Sequence, residues 1–390
     1  MKDVIITSAT RTAIGSLNKS LKNVQAYKLG SSVIDDAIKK SNIKKEEVDE
    51  VIMGQVLTAG TGQNAARQAL IYSGVPKEKT AYIVNQVCGS GIRSVASGFQ
   101  SIKSGDSRIV IAGGQENMSL APHALHLRDG KKLGDIEMTD TMIKDGLWDA
   151  FHGYHMGITA ENVAEKFQIT RDEQDRFAIK SHDKALIAQK NNKFKDEIID
   201  FKIKSKNAEI IFNKDEHPRE GISLDTLKKL KPVFKKDGTV TAGNASGIND
   251  GAAAVTLMSN EETKKRNLER LATVKSWASC GVDPALMGTG PIPSVKKALD
   301  LVGWKISDVD LFEINEAFAA QSIAVIKTLS IPEEKVNVNG GAVALGHPIG
   351  ASGTRILVTL IHEMIKRNVK KGVATLCIGG GMGIAMCVER

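Results

Sequence analysis

Short apolar runs of strand length alternate along this chain with segments whose apolar residues recur at helical spacing. Residues 109–112 read Ile-Val-Ile-Ala and residues 373–377 read Val-Ala-Thr-Leu-Cys, whereas residues 92–102 repeat apolar positions every three or four residues. Short runs bounded by turn residues are typical of buried strands, and the longer period is typical of helices. The alternation predicts an α/β protein in which a sheet is layered with helices.

The same pattern occurs twice, once in each half of the chain. An acidic turn and a short apolar run occupy residues 47–54, and a similar sequence occupies residues 307–315. A Val-Asn pair then precedes a glycine-rich turn and a helical segment, at Val84 and again at Val338, and each half closes on an apolar run that ends in glycines. The repetition predicts an internal duplication, with two similar α/β units packed together.

The middle of the chain interrupts this pattern. It has the densest charge, and its clearest helical signal begins at Thr170, an N-cap residue with Glu173 in the capping-box position. We interpret the middle as an inserted loop domain that lies over the active-site face. The predicted parts are an N-terminal half of residues 1–118 with 250–268, the inserted loop domain of residues 119–249 and a C-terminal half of residues 269–390.

Cysteine content and composition narrow the setting in which the protein works. Of 390 residues, 42% are apolar and 25% are charged, as in ordinary globular proteins, and the length suits two or three domains. The four cysteines show no Cys-x-x-Cys spacing, which argues for a reduced, cytosolic setting and against a zinc site. The first apolar run has strand size instead of signal-peptide size, and no stretch approaches the roughly 20 apolar residues that span a bilayer. We expect a cytoplasmic protein without a metal ion.

The formal net charge of +8 is unevenly distributed, because residues 190–236 alone hold an excess of five positive charges. Acidic residues are interleaved there, which is typical of a solvated surface. A docking surface for a polyphosphate, such as a nucleotide-bearing substrate, is the alternative. Few aromatic residues are present to stack on bases, so nucleic acid is the weakest of the three interpretations.

Three glycine-rich segments each place one reactive side chain among glycines. Residues 85–91 contain Cys88, residues 340–350 contain His347, and residues 377–383 begin with Cys377. A cysteine at a strand-to-helix turn meets the positive end of the helix dipole, which stabilises a thiolate. Cys88 is therefore the predicted nucleophile, although one such segment alone would be weak evidence.

The other two segments supply what such a nucleophile needs. The imidazole of His347 can take the thiol proton of Cys88 and later hydrogen-bond an oxyanion. Cys377 can move a proton at carbon, while the amides of the glycines that follow can hold a negative oxygen. The glycines at 379–383 lack the G-x-G-x-x-G spacing of a dinucleotide site. Asn315 is a candidate for anchoring a catalytic water, and an ordinary cap role is equally open.

Taken together, these segments resemble the thiolase family, and within it the short-chain biosynthetic members. The resemblance covers essentially the whole chain and rests on residues 85–91, 315–318, 337–353 and 377–383. Residues 92–94, Ile-Arg-Ser, stand in place of the family's commoner Leu-x-Ala, for which we expect only a small adjustment of helix packing. The implied fold has two similar αβ halves stacked as five layers, αβαβα, with an inserted loop domain. The implied assembly is a homodimer or homotetramer.

The resemblance also implies the reaction and the residues that perform it. The reaction is condensation of two acetyl-CoA to acetoacetyl-CoA and CoA, or its thiolytic reverse. Cys88 would accept the acyl group with His347 as its base, and Cys377 would remove the α-proton of the second acetyl-CoA. One oxyanion hole would combine His347 with a water held by Asn315, and the other would use the backbone amides of Cys88 and Gly379.

The implied substrates are coenzyme A thioesters, with no permanently bound cofactor. Residues near the nucleotide and along the pantetheine arm would be Arg219, Thr226, Phe234, Ala242 and Ser246. The acyl pocket would include His155 and would be closed to bulky tails by Met156, Met287 and Phe318. Arg219 falls inside the basic segment at 190–236, so charge and resemblance agree on where phosphates dock.

Two other functions and one regulatory property stay open at this stage. A degradative 3-ketoacyl-CoA thiolase with longer substrates is the alternative among enzymes. A non-catalytic acyl-CoA or lipid-binding protein on the same scaffold would not need two thiols, a histidine and an asparagine at their places. If Cys88 and Cys377 face one reacting carbon, mild oxidation could also join them reversibly and switch the enzyme off. Cys280 and Cys387 are assigned to packing.

Overall fold

The apolar runs form strands and the segments of helical spacing form helices in the computed structural model, which describes residues 3–204 and 208–390. The strands are β1 Val4–Arg11, β2 Gly15–Ser16, β3 Glu50–Gly54, β4 Thr80–Val84, β5 Ile109–Asn117, β6 His123–Ala124, β7 Thr139–Asp140, β8 Trp148–Asp149, β9 Tyr154–His155, β10 Phe201–Lys204, β11 Glu209–Phe212, β12 Asn249–Ser259, β13 Ala272–Gly281, β14 Leu311–Ile314, β15 Lys371–Ile378 and β16 Met382–Glu389. The helices are α1 Ala26–Lys40, α2 Ala65–Tyr72, α3 Ser90–Ser104, α4 Met156–Lys166, α5 Arg171–Lys190, α6 Leu224–Lys228, α7 Asn260–Lys265, α8 Pro291–Asp300, α9 Ala319–Leu329, α10 Ala342–Leu345 and α11 Ser352–Arg367.

The strands of both halves belong to one mixed sheet. Their order is β14-β15-β16-β13-β1-β12-β5-β3-β4, and β2 pairs with β12. The halves are joined where Val4, Ile5 and Ile6 of β1 pair antiparallel with β13. Strand β12 inserts between β1 and β5, so the chain returns to the first half after the whole middle segment.

Helices α3 and α11 form the central layer of the molecule. Both contact strands of both halves, and their buried faces contribute to the largest hydrophobic cluster together with β12 and β16. Helices α1 and α2 cover the outer face of the first half, and α8 and α9 cover that of the second. The two parts of this one sheet therefore lie on either side of α3 and α11 with further helices outside each part, which gives the predicted α/β order of helix, sheet, helix, sheet, helix. Burial of each large aliphatic side chain in these clusters stabilises the fold by about 1.5–3 kcal/mol.

The predicted duplication is visible in the order of elements. In the first half a 3₁₀ turn at Lys45–Glu47 leads into β3, and in the second a 3₁₀ turn at Ile306–Asp308 leads into β14. Strand β4 has only a single bridge between Phe312 and Val336 as its counterpart. Helix α3 followed by β5 corresponds to α11 followed by β15, so Cys88 and His347 precede equivalent central helices.

The middle segment contains the β6–β7, β8–β9 and β10–β11 pairs and helices α4 to α6. Thr170 and Glu173 form the predicted capping box of α5. The segment returns to the sheet at Asn249, where β12 begins. The exact domain boundaries given above stay predictions. Among the described residues, no helix combines the length and apolar character needed to cross a membrane.

Candidate active site

Cys88 lies in the tight turn that joins β4 to α3. Val87 adopts a positive φ of 45°, and the Ser90 hydroxyl both accepts from the Gln86 amide at 2.8 Å and donates to the Val87 carbonyl at 2.6 Å. Helix α3 begins at Ser90, so the half-buried sulfur of Cys88 lies at the positive end of its dipole. The sequence predicted this strand-to-helix placement correctly.

Two glycines bring the Cys88 turn to the His347 loop. A Cβ on Gly91 would lie 2.5 Å from the Thr354 amide nitrogen, and a Cβ on Gly353 would lie 2.4 Å from that of Ile92. The first turns of α3 and α11 therefore cross with their backbones in contact, which only residues without a side chain permit. Cys88 and His347, which lie in different halves of the chain, thus reach one site.

His347 is buried and held in one tautomer by its neighbours. Its amide donates to Asn249 Oδ1 at 3.0 Å, and its Nδ1 lies 2.6 Å from Ser352 Oγ. The Ser352 hydroxyl donates its only hydrogen to the Pro348 carbonyl at 2.9 Å, so it must accept from Nδ1–H. Nε2 therefore keeps its lone pair, 3.5 Å from Asn315 Nδ2, and is free to take a proton.

The environment of His347 keeps its imidazole neutral. Burial, with a further contribution from the Arg355 guanidinium, lowers the pKa of His347 from 6.5 to about 3. The imidazole of His347 is therefore unprotonated throughout the physiological pH range, which a general base must be before it acts.

The turn that carries Cys88 meets the end of β15, which carries Cys377, since a Cβ on Gly89 would lie 2.4 Å from the Ile378 side chain. Burial raises the pKa of Cys88 to about 11, while the amides of Gly379 and of Cys88 itself oppose that rise. Burial also raises the pKa of Cys377, and the charge of Cys88 raises it further. All four cysteines are free thiols. The resting site is thus a neutral thiol beside a neutral imidazole, and two backbone amides point at the nucleophilic sulfur.

A cavity of about 750 Å³ opens onto this site. The predicted residues that line it are Cys88, His155, Met156, Arg219, Phe234, Ala242, Ser246, Met287, Phe318, His347 and Gly379. Asn315 and Cys377 lie behind this wall, where Cys377 packs in a buried apolar cluster with Met156, Met287 and Phe318. The reacting end of the cavity is therefore short and apolar.

Thr226 is a predicted substrate-binding residue that does not line the cavity. Its hydroxyl accepts from the Ser223 amide at 2.9 Å and donates to the Ser223 carbonyl at 2.8 Å, within the cap of α6.

Arg219 lines the outer cavity with an exposed side chain. Part of the basic segment, residues 205–207, lies outside the described residues. A larger groove of about 1170 Å³ beside α1 contains none of the predicted site residues.

His155 and Phe234 shape the middle of the cavity. Their rings stack with centroids 4.6 Å apart, and His155 Nδ1 accepts from the Gly157 amide at 3.0 Å, which caps α4. A Cβ on Gly157 would lie 2.2 Å from the Phe234 ring, so this position excludes a side chain. His155 therefore supports the cavity wall by packing against Phe234 and by capping α4.

Sequence reasoning missed four buried residues that support the site: Asn249, Ser352, Arg355 and Glu116. Ser352 follows His347 by five residues at a helix start, so its spacing could have drawn attention to it. Asn249 holds the His347 loop by its side-chain oxygen and donates to the Gly15 carbonyl at 2.9 Å. No local pattern marks Arg355 or Glu116, because their importance arises from contacts between distant elements.

No group of three or more potential ligands that could hold a metal ion is found among the described residues. The polar groups around the thiols are amides, an imidazole and an asparagine. They suit stabilisation of a negatively charged oxygen on a substrate carbonyl.

The fold and the site together define a thiol-dependent acyl-transfer scaffold built from two αβ repeats. Residues 4–261 match the family model described as the thiolase N-terminal domain, and residues 268–390 match that of the thiolase C-terminal domain. The chain belongs to the thiolase family.

Relatives over the full length agree with this assignment. The chain is 57% identical over 387 residues to the acetyl-CoA acetyltransferase of Rhizobium meliloti (strain 1021), covering 99% of this chain and 98% of the relative. It is 56% identical to that of Paracoccus denitrificans, with 100% of both chains covered. The crystal structure of the Bacillus anthracis acetyl-CoA acetyltransferase superposes with a TM-score of 0.98 at 46% identity, covering 100% of this chain and 99% of that one.

Proposed function

We propose that this protein is an acetyl-CoA C-acetyltransferase that condenses two acetyl-CoA to acetoacetyl-CoA and CoA and runs the reverse thiolysis. The observation that carries the proposal is the convergence of Cys88, the Gly379 amide and His347 on one wall of a cavity. The full-length relatives that bear this activity in their names support it.

In the first half-reaction, the sulfur of Cys88 attacks the carbonyl carbon of acetyl-CoA. His347 Nε2 takes the thiol proton, since Nδ1 is committed to Ser352. The amides of Cys88 and Gly379 point at this sulfur and are placed to stabilise the tetrahedral oxyanion. The C–S bond to CoA then breaks, the CoA sulfur receives the proton from His347, and acetyl-Cys88 remains.

In the second half-reaction, a Cys377 thiolate takes a proton from the methyl group of a second acetyl-CoA. Burial raises the pKa of Cys377, so its thiolate is a strong base once formed. The carbanion attacks the acetyl carbon on Cys88, and the departing Cys88 sulfur receives the proton that Cys377 had taken, which leaves Cys88 as a thiol and returns Cys377 to the thiolate. The Asn315 side chain reaches Nε2 of His347, and its Oδ1 has no hydrogen-bond partner among the described residues, which suits a water bound between them.

Substrate size is set by the apolar end of the cavity. Met156, Met287 and Phe318 share a buried apolar cluster with Cys377, and we infer that they restrict this end to an acetyl or acetoacetyl group. The alternative, a degradative thiolase of broader chain length, would need this end open. Thiolysis of acetoacetyl-CoA and of a long-chain 3-ketoacyl-CoA should therefore differ strongly in kcat/KM, and equal values would favour the degradative enzyme.

Mass spectrometry of the intact protein after brief exposure to acetyl-CoA tests the chemistry. Wild type and Cys377→Ala should each gain one acetyl group, Cys88→Ala should gain none, and Cys377→Ala should release no acetoacetyl-CoA. Absence of label on folded wild type would leave a non-catalytic acyl-CoA-binding protein as the better description.

Other properties stay predictions. We infer that coenzyme A enters with its nucleotide toward Arg219 and its pantetheine arm past Phe234, Ala242 and Ser246, and that no cofactor is permanently bound. A cytoplasmic location, assembly as a homodimer or homotetramer, and a reversible bond between Cys88 and Cys377 await direct measurement.

A further inference from the structure

Glu116 is a wholly buried carboxyl group beside the active site that the mechanism above does not use. It is the eighth residue of β5, and its side chain has no exposed surface. No ion pair to Glu116 occurs within residues 3–204 and 208–390. A buried carboxyl without a cation is costly, so its retention in the fold requires other stabilising contacts.

Those contacts are three backbone amides from two separate loops. Glu116 Oε2 accepts from Val56 at 3.0 Å and from Gly350 at 2.9 Å, and Oε1 accepts from Leu57 at 3.2 Å. Val56 and Leu57 follow β3 in the first half, whereas Gly350 lies three residues after His347 in the second half. One side chain thus links the base-bearing loop of one half to the strand ends of the other.

The loop that Glu116 holds has no room to shift. A Cβ on Gly350 would lie 2.7 Å from Glu116 Oε2, and a Cβ on Gly114 would lie 2.1 Å from the Gly350 carbonyl oxygen. Cys88 packs against the apolar cluster formed by Val56, Leu57, Met118 and Ile349, so the same linked loops form its immediate surroundings. A change at Glu116 therefore reaches both the nucleophile and its base.

We propose, on the basis of the function proposed above, that Glu116 is a positioning residue that fixes the His347 loop relative to Cys88. Its bond from the Gly350 amide crosses the contact between the two halves, and its bonds from Val56 and Leu57 tie it to the first half, at the point where the base and the nucleophile meet. Misplacement of a reacting group by about 1 Å can reduce a rate by about 10²-fold. Glu116 acts through this geometry and does not touch substrate.

The charge of Glu116 also affects the pH at which the Cys88 thiol reacts, which a loss of packing alone would not change. Burial raises the pKa of Glu116 to about 7, with Asp250 of β12 as the neighbouring carboxyl that adds to the rise. In turn, the Glu116 charge raises the pKa of the Cys88 thiol. Loss of this charge should make the thiol react at lower pH even while turnover falls.

The test compares Glu116→Gln with wild type. Gln keeps the size of the side chain but replaces one accepting oxygen by a donor that faces a backbone N–H. We expect kcat for thiolysis of acetoacetyl-CoA to fall about 10- to 100-fold with little change in KM. We also expect the pH profile of Cys88 alkylation by iodoacetamide, measured in a Cys377→Ala background, to move to lower pH.

Asp49→Asn is the matched control. Asp49 accepts from the amides of Arg108 and Ile109 at 2.8 and 3.1 Å, at the opposite end of β5 from Glu116. It should alter thermal stability without changing kcat or the alkylation profile. Glu116→Asp keeps the charge but shortens the reach, so it should lose turnover while its alkylation profile stays close to wild type, and it replaces Glu116→Gln if that variant misfolds.

Folded Glu116→Gln with wild-type kcat and an unmoved alkylation profile would overturn the positioning role and leave the proposed function intact. A loss of kcat with no movement of the profile, equalled by Asp49→Asn, would also overturn it, since general destabilisation would then suffice. Failure of wild type itself to turn over acetoacetyl-CoA would instead overturn the proposed function.

Discussion

The turn before α3 and the loop before α11 occupy equivalent places in the two halves, yet they carry opposite kinds of chemistry. The first presents the half-buried thiol of Cys88 at a helix N-terminus, held mainly by hydrogen bonds within its own turn. The second presents the buried imidazole of His347, whose ring bonds to Ser352 and whose loop backbone donates to Asn249 and Glu116, residues of three different elements. The duplication thus places two equivalent loops where α3 and α11 cross, and contacts from other elements hold the His347 loop in place.

The comparison predicts that the histidine loop is as necessary as the thiol. His347→Ala removes the proton acceptor, so turnover should fall by about 10³-fold, within the range of general base catalysis. KM for acetoacetyl-CoA should change little. Steady-state kinetics with exposed His126→Ala as the control would check this. Near-normal kcat would mean that another group takes the thiol proton.

Separating α3 from α11 should have the next largest effect. Gly353→Ala places a methyl group 2.4 Å from the Ile92 amide nitrogen, so α3 and α11 must separate. We expect a loss of about 1–3 kcal/mol in the free energy of unfolding, measured by urea titration, and a fall of about 10²-fold in kcat. Gly281→Ala is the control, because its Cβ would meet only the Gly381 oxygen, at 3.9 Å. Equal behaviour of the two variants would refute the close crossing.

Loss of the contact that fixes the His347 tautomer should have a smaller effect on kcat. Ser352→Ala removes the acceptor of Nδ1–H, so the imidazole can populate the tautomer that cannot take a proton. A hydrogen bond worth about 1 kcal/mol predicts a fall in kcat of up to about tenfold. Ser104→Ala, whose hydroxyl bonds the Ser101 carbonyl near the end of α3, should leave kcat unchanged. A wild-type rate in Ser352→Ala would show that another contact fixes the ring.

The smallest expected effect is on pH dependence. The pKa of His347 is lowered to about 3 and that of Glu116 is raised to about 7, so lowering the pH from 8 to 6 protonates Glu116 and leaves the imidazole neutral. A protonated Glu116 accepts the loop amides less strongly and so holds the His347 loop less well, and this loss should outweigh the easier ionisation of Cys88, so its acetylation rate should fall several-fold over this range in wild type. The same fall in Glu116→Gln would assign the titration to another group, with His347 the first to consider.

Much of the site was predictable because its residues carry local signatures. Cys88 lies at a strand-to-helix turn, and His347, Asn315 and Cys377 occur in sequence motifs that are specific to the family. Thr226 was assigned through resemblance alone, and its hydroxyl is used within its own helix cap. Glu116 gave no signal, because a glutamate at the end of an apolar strand has no pattern that separates it from an exposed one.

The sequence by itself determined the alternation of strands and helices, the duplication and the candidates for the reacting groups, since these depend on short-range periodicity and on residue type. The tertiary structure decided which groups meet. It set the contact of Gly91 with Gly353, the neutrality of His347 and the link from Glu116 to Gly350, because each arises where distant segments exclude water and each other's side chains. Burial and proximity between elements are properties of packing, which no local pattern encodes.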